Sequence, residues 1–121
     1  MSLSFVYIPD HMLKTERLEL NWNSLDGTIP SQVGRLTHLE LLDLQINDLS
    51  GTIPPEIGRM KKLQFFYLNH NNVEGTIPSE LFDLTNLKSF YLYGGNNKLI
   101  GTISTKIGQL SRLQNRKRPV Q

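Results

Sequence analysis

The stretch NDLSGTIPPEIGRM, residues 47–60, contains a phrase that the chain repeats. Gly51-Thr52-Ile53-Pro54 lies 24 residues after Gly27-Thr28-Ile29-Pro30 and 24 before Gly75-Thr76-Ile77-Pro78, and Gly101-Thr102-Ile103 follows after another 26. Stacking the chain on that period aligns more than the glycine. Leu18, Leu42, Phe66 and Phe90 share a column, and Leu20, Leu44, Leu68 and Leu92 share the one two residues on. Asn23, Asn47, Asn71 and Asn97 come next, then Leu25, Leu49, Val73 and Leu99. Upstream lie Leu39, Leu63 and Leu87, and before them Leu36, Met60, Leu84 and Leu110. Each unit is too small to bury its own apolar edge, so stacked units must bury one another's, and three or more are needed.

One unit reads L-x-x-L-x-x-L-x-L-x-x-N-x-L-x-G-T-I-P-x-x-I-G, which resembles the leucine-rich repeat. The G-T-I-P segment is similar to the plant-type class, found in receptor-like kinase ectodomains and polygalacturonase inhibitors. The resemblance implies an α/β solenoid: a right-handed coil with a parallel concave sheet, short second strands, and short helical turns on the convex side. It also implies that the asparagines form a ladder along the stack.

The residues give physical reasons for that reading. In L-x-L the two leucines point one way and the residue between them the other, as a strand requires. The Asn sits where the chain leaves the strand, and a buried amide there can satisfy backbone groups of its own and the neighbouring turn. Gly permits a tight bend. Thr-Ile favours a second short strand, and Pro, lacking an N–H, ends it. The segment Pro55–Met60 then forms a helical turn. An Asn inside the stack is expected to matter more than the terminal Asn97.

The organisation follows. Residues 1–11 are an N-terminal extension or informal cap. Residues 12–114 hold about four 24-residue repeats and a partial fifth, with a two-residue insertion near Gly94-Gly95. Residues 115–121 are a basic tail. The tail carries the charge asymmetry: without Arg116, Lys117 and Arg118 the remaining 10 basic residues face 11 acidic ones, a net of −1 against +2 for the whole chain. Three basic residues with no aromatic interleaving are a solvated end rather than a nucleic-acid site.

The absence of cysteine excludes a disulfide framework and a thiolate metal site. No run approaches 18 apolar residues, so no membrane insertion is expected of this chain. The opening residues lack a basic n-region and a small-residue cleavage site. His11, His38 and His70 have no repeated carboxylate or serine companion, and the repeat glycines match no phosphate-binding fingerprint. No cofactor, no metal and no enzymatic activity are expected.

What remains is a surface. Strand alternation places Arg17, Leu41, Phe65 and Ser89 outward, then Glu19, Asp43, Tyr67 and Tyr91, then Asn21, Gln45, Asn69 and Tyr93. The core columns repeat and these do not: the scaffold is constant while its outward letters vary. Arg17, Glu19, Leu41, Asp43, Phe65, Tyr67, Tyr91 and Tyr93 are therefore the candidate ligand-binding residues of the concave face, an aromatic and apolar field beside two acids. Aromatic side chains dominate binding hot spots. Glu19 and Asp43 would stand close enough to repel and so welcome a cation.

The expected function is non-enzymatic recognition of a protein or peptide ligand carrying a basic residue and an aromatic or aliphatic anchor. The resemblance implies a fragment of a receptor-like ectodomain, outside the plasma membrane. The alternative is a structural scaffold or an enzyme inhibitor of the polygalacturonase-inhibitor type, or a cytoplasmic protein if no receptor is involved. An uncapped C-terminal end, showing Phe90, Leu92, Leu99 and Ile103, would also let copies associate.

Overall fold

The computed structural model describes residues 2–3 and 8–101. Each outward-inward-outward triplet forms a three-residue strand: β1 (Arg17–Glu19), β2 (Leu41–Asp43), β3 (Phe65–Tyr67) and, after β4 (Glu74–Thr76), β5 (Ser89–Tyr91), with β6 (Lys98–Ile100) last. Parallel pairing joins β1, β2, β3 and β5 in that order. The register reproduces the 24-residue columns, with Leu18 opposite Leu42, Leu42 opposite Phe66 and Phe66 opposite Phe90. Parallel strands need a long crossover between them, and each coil supplies one. The chain is an α/β solenoid.

The return path is a 3-10 turn in each coil: Ser31–Arg35, Pro55–Arg59 and Ser79–Asp83. Pro30, Pro54 and Pro78 enter these turns in extended conformation, and their fixed φ suits that entry. Val33, Ile57 and Leu81 point from the turns into the core. Neighbouring turns pack so closely that a Cβ on Gly58 would stand 2.9 Å from the Glu80 carbonyl oxygen. Phe82 takes the glycine's place one coil later, where it is fully buried and meets Phe90 edge-on at 6.4 Å between ring centres.

The second strand differs from the expected Thr-Ile pair. In β4 it is centred on Gly75, which pairs with Leu99 of β6, and among the described residues of the earlier coils it is reduced to isolated Ser2–Asp26 and Thr28–Ser50 bridges. The isoleucine is turned inward instead, with Ile29 and Ile53 buried. Packing explains why Gly precedes Thr. A Cβ on Gly51 would lie 2.7 Å from the Thr28 methyl of the preceding coil, and Gly51 has φ +73°. Each threonine methyl thus occupies the space that the next coil's glycine leaves open.

The core runs the length of the stack. Leu42, Leu44, Phe66, Leu68 and Leu92 have essentially no solvent exposure, and full burial of such a side chain stabilises by about 1.5–3 kcal/mol. Leu3 and Ile8 join the same core, and the Leu3 N–H donates to the Asp26 carbonyl at 2.8 Å. Leu18 and Leu20 of the first coil are only half-buried. Phe90, Leu92 and Leu99 are buried, so the apolar edge expected at the C-terminal end is not open at these three residues. Ile103, the partial fifth repeat and the basic tail lie outside the described residues.

The four asparagines do not have equal surroundings. Asn47 Oδ1 accepts from the N–H groups of Asn23 and Leu25, both at 2.9 Å, and its Nδ2 donates to the carbonyls of Leu20 (2.9 Å) and Leu44 (3.1 Å). Asn71 Oδ1 accepts from Leu49 N–H, and its Nδ2 donates to Leu44 and Leu68. Asn97 accepts from Val73 N–H and donates to Leu68 and Leu92. Each side chain ties its own coil to the preceding one. Among the described residues the position with least to hold is therefore Asn23, not Asn97: it is exposed, and there its Nδ2 reaches only the Asn21 carbonyl at 3.2 Å.

Candidate functional site

The outward residues of the four-stranded sheet form a strip whose two ends differ in kind. At the N-terminal end, Arg17 donates to Glu19 Oε1 at 2.7 Å, with both side chains more than half exposed. Asp43 stands opposite Glu19 in register but is buried. Its Oδ1 accepts from the Gln45 N–H at 3.2 Å and its Oδ2 from Gln45 Nε2 at 3.0 Å. Glu19 and Asp43 thus each have an in-coil partner. The mutual repulsion of the two acids is softened by Arg17 on one side and Gln45 on the other, and Glu19 is the accessible one.

Toward the C-terminal end the strip is aromatic. Phe65 and Tyr67 are two residues apart on β3, on one face, with ring centres 6.4 Å apart and planes tilted by 40°. Tyr67 and Tyr91 are register partners on adjacent strands, with centres 5.3 Å apart at 32°. That separation lies within the range in which aromatic pairs attract beyond their area burial. Tyr91 is 46% exposed, and Phe65 and Tyr67 are half-buried. Three neighbouring rings thus share one surface, and Tyr91 is the one most open to solvent.

Two residues do not join this field as expected. Leu41 lies on the outward face of β2 yet is only 7% exposed, and it stands apart from the main core cluster. Flanked in register by Arg17 and Phe65, it is a floor residue and not a contact surface. Tyr93 packs half-buried against the core, and that burial raises its phenol pKa above the usual 10.0. The reason is local. β5 ends at Tyr91, so strand alternation does not carry on to residue 93. The two-residue insertion begins just beyond it, where Gly95 bridges to Asn71 and lies against His70.

Three further features of this face were not among the candidate residues. Asn69 Nδ2 donates to Gln45 Oε1 at 3.3 Å, which links the third outward column across two coils. The legible signal was three carboxamides, Asn21, Gln45 and Asn69, in one column. Trp22 is 71% exposed at the exit of the first strand. Trp22, Ile46 and His70 all have left-handed φ, at 62°, 57° and 60°, a strained state for such side chains. Nothing in the residue types announces it, because only Gly94 in that column is a glycine.

Among the described residues no group of three or more His, Asp or Glu side chains could hold a metal ion. Nor is any helix among them long and apolar enough to cross a membrane. The strip is an open surface with no enclosed nucleophile or acid–base pair.

Comparison with known proteins agrees with the architecture. A family profile described as "Leucine Rich Repeat" matches residues 14–36 and 38–60, and one described as "Leucine Rich repeats (2 copies)" matches residues 61–115. The chain belongs to the leucine-rich repeat family. Within it, the chain is a plant-type member, as its structural neighbours show. The plant peptide hormone receptor RGFR1, solved in complex with RGF2, is 48% identical with a TM-score of 0.77 over 81% of this chain and 15% of that one. The Arabidopsis receptor kinase HAESA, solved with the peptide hormone IDA and the co-receptor SERK1, is 35% identical (TM-score 0.76) over 81% of this chain and 16% of that one. The leucine-rich repeat ectodomain of the receptor kinase SOBIR1 from Arabidopsis thaliana is 30% identical (TM-score 0.73) over 81% of this chain and 52% of that one. The chain thus spans about one seventh of the length of the first two and half of the third. No curated protein sequence matches it.

Proposed function

We propose that this chain is a non-enzymatic recognition module that binds an extended peptide along its concave face, within a receptor-like protein whose repeats lie outside the plasma membrane. The Tyr67–Tyr91 pair carries the reading: two adjacent, mutually tilted rings, one of them 46% exposed, occupy the face on which the repeat leaves residue identity free. A protein that holds such rings at a surface gives up burial that a core would have provided, and aromatic clusters of this kind are where binding energy concentrates. Phe65 extends the aromatic end, and Glu19 with Arg17 forms a polar rim at the other. The peptide sets an aromatic or aliphatic anchor on the tyrosines and a basic residue toward Glu19. Peptide-hormone complexes among the structural neighbours support the same class of ligand.

The test uses linear peptides selected from a random display library on the intact chain. Their affinity for Tyr67→Ala and Tyr91→Ala should fall at least about tenfold each, equivalent to about 1.4 kcal/mol. Glu56→Ala, on the turn side, should leave affinity within about twofold. Peptides that bind the tyrosine variants normally but lose affinity for Glu56→Ala would place recognition on the opposite face and end this proposal.

A further inference from the structure

The carboxamides beside the tyrosines form a relay with a fixed direction. Asp43 Oδ2 accepts from Gln45 Nε2 at 3.0 Å, and Gln45 Oε1 accepts from Asn69 Nδ2 at 3.3 Å. A carboxylate only accepts, whereas a carboxamide has one donating and one accepting end. Asp43 therefore dictates the sense of every member. Turning Gln45 over would set its oxygen against the Asp43 carboxylate, and turning Asn69 alone would set two amide oxygens against each other. The last oxygen of the relay, Asn69 Oδ1, is buried and has no hydrogen-bond partner among the described residues. A buried acceptor without a donor is costly, and native structures keep few of them.

Building on the concave reading above, we propose that Asn69 Oδ1 receives a hydrogen bond from an N–H or O–H donor of the bound peptide, with Asp43 and Gln45 acting as positioning residues that hold the oxygen in its accepting orientation. Asn69 lies two residues beyond Tyr67, just past the end of β3. The donor thus belongs to the aromatic anchor residue or a close neighbour, on the side of the peptide that faces the strand exit. The oxygen is buried, so reaching it takes movement of the side chains over it while the Asn69–Gln45 bond is kept, and such rearrangement is an ordinary event at interfaces. The relay gives the face a chemical selectivity that the rings lack. Rings accept any apolar anchor, whereas Oδ1 rejects a peptide that brings a second acceptor.

Two sources of donor share this chemistry, a main-chain N–H and a polar side chain, and the experiment separates them. A display-selected peptide that depends on Tyr67 is resynthesised with single amide-to-ester replacements, which delete one N–H at a time. A second set replaces each side-chain donor by an apolar isostere, Ser by Ala or Lys by norleucine. Both sets are titrated calorimetrically against the wild-type chain, Asn69→Leu and Gln45→Leu. One replacement should weaken binding to the wild type by about fivefold or more and have no effect on binding to Asn69→Leu. Against Gln45→Leu, where Asn69 is free to turn, its penalty should shrink by half or more. Asn69→Ala serves where Asn69→Leu folds poorly. If the peptides need Tyr67 but no replacement couples to Asn69, this inference falls and the concave reading stands. If the peptides are indifferent to Tyr67→Ala, both fall.

Discussion

Replacing Asn47 by leucine keeps the side chain's approximate size while removing its hydrogen bonds. Four strong contacts are lost: the N–H groups of Asn23 and Leu25 and the carbonyls of Leu20 and Leu44. They are not equivalent. Leu44 keeps the bond from Asn71 Nδ2 at 2.9 Å, so its carbonyl stays satisfied. The Leu25 N–H is buried and orphaned, at about 1–3 kcal/mol. The Asn23 N–H and Leu20 carbonyl are only partly buried and regain water, so each loses about 0.5 kcal/mol. The expected loss is about 2–4 kcal/mol, a large part of the roughly 5–15 kcal/mol that holds a typical domain together. Urea unfolding followed by circular dichroism should show the midpoint fall by about 1–2 M. Asn23→Leu is the internal comparison. It removes a single exposed contact and should cost less than about 1 kcal/mol, while Asn97→Leu should resemble Asn47→Leu more than Asn23→Leu. Equal shifts for Asn23→Leu and Asn47→Leu would refute the claim that each asparagine serves the coil before it.

Gly58→Ala should cost about 1–3 kcal/mol, because its Cβ would meet Glu80 Cβ at 2.8 Å and backbone at 2.9 Å; an unchanged urea midpoint would mean the turns can slide apart freely. Ile46→Asn should stabilise by about 0.5–1 kcal/mol by easing a β-branched residue out of φ 57°, and a lower midpoint would show that the Ile46 side chain contributes more packing than strain. Raising the pH tests Tyr93. Its pKa is raised by burial, so the folded state holds the phenol proton more tightly than the unfolded chain. Stability is unaffected below the unfolded value of 10.0 and falls as pH rises above it. Tyr93→Phe should flatten that alkaline loss, and an identical pH profile would place the ring in water.

The fold was legible because periodicity in the sequence is periodicity in space. Columns of leucine 24 residues apart became register partners, since each coil has the same path length. Direction was legible too, but cover was not. Strand alternation turns Leu41 and Asp43 outward, yet both are buried, because exposure depends on neighbours as long as Arg17, Phe65 and Tyr67. Alternation also loosens past the strand ends: Leu92 is still turned inward, but Tyr93, two residues beyond β5, packs half-buried against the core. The second strand lies ahead of the expected Thr-Ile pair, at Glu74–Thr76 and Lys98–Ile100, and the Thr28 and Thr52 methyl groups pack under the following glycines, a contact between coils that no single repeat displays. The Gln45–Asn69 relay is likewise a property of two coils together, readable only once their register is known.

The most direct test of concave recognition is chemical-shift mapping of a display-selected peptide on isotopically labelled protein. The account predicts that the largest changes fall on the Phe65, Tyr67 and Tyr91 rings and on Glu19, with the Asn69 side-chain amide moving alongside them and the turns Pro55–Arg59 and Ser79–Asp83 unmoved. Shifts confined to those turns, with the three rings undisturbed at saturation, would contradict it.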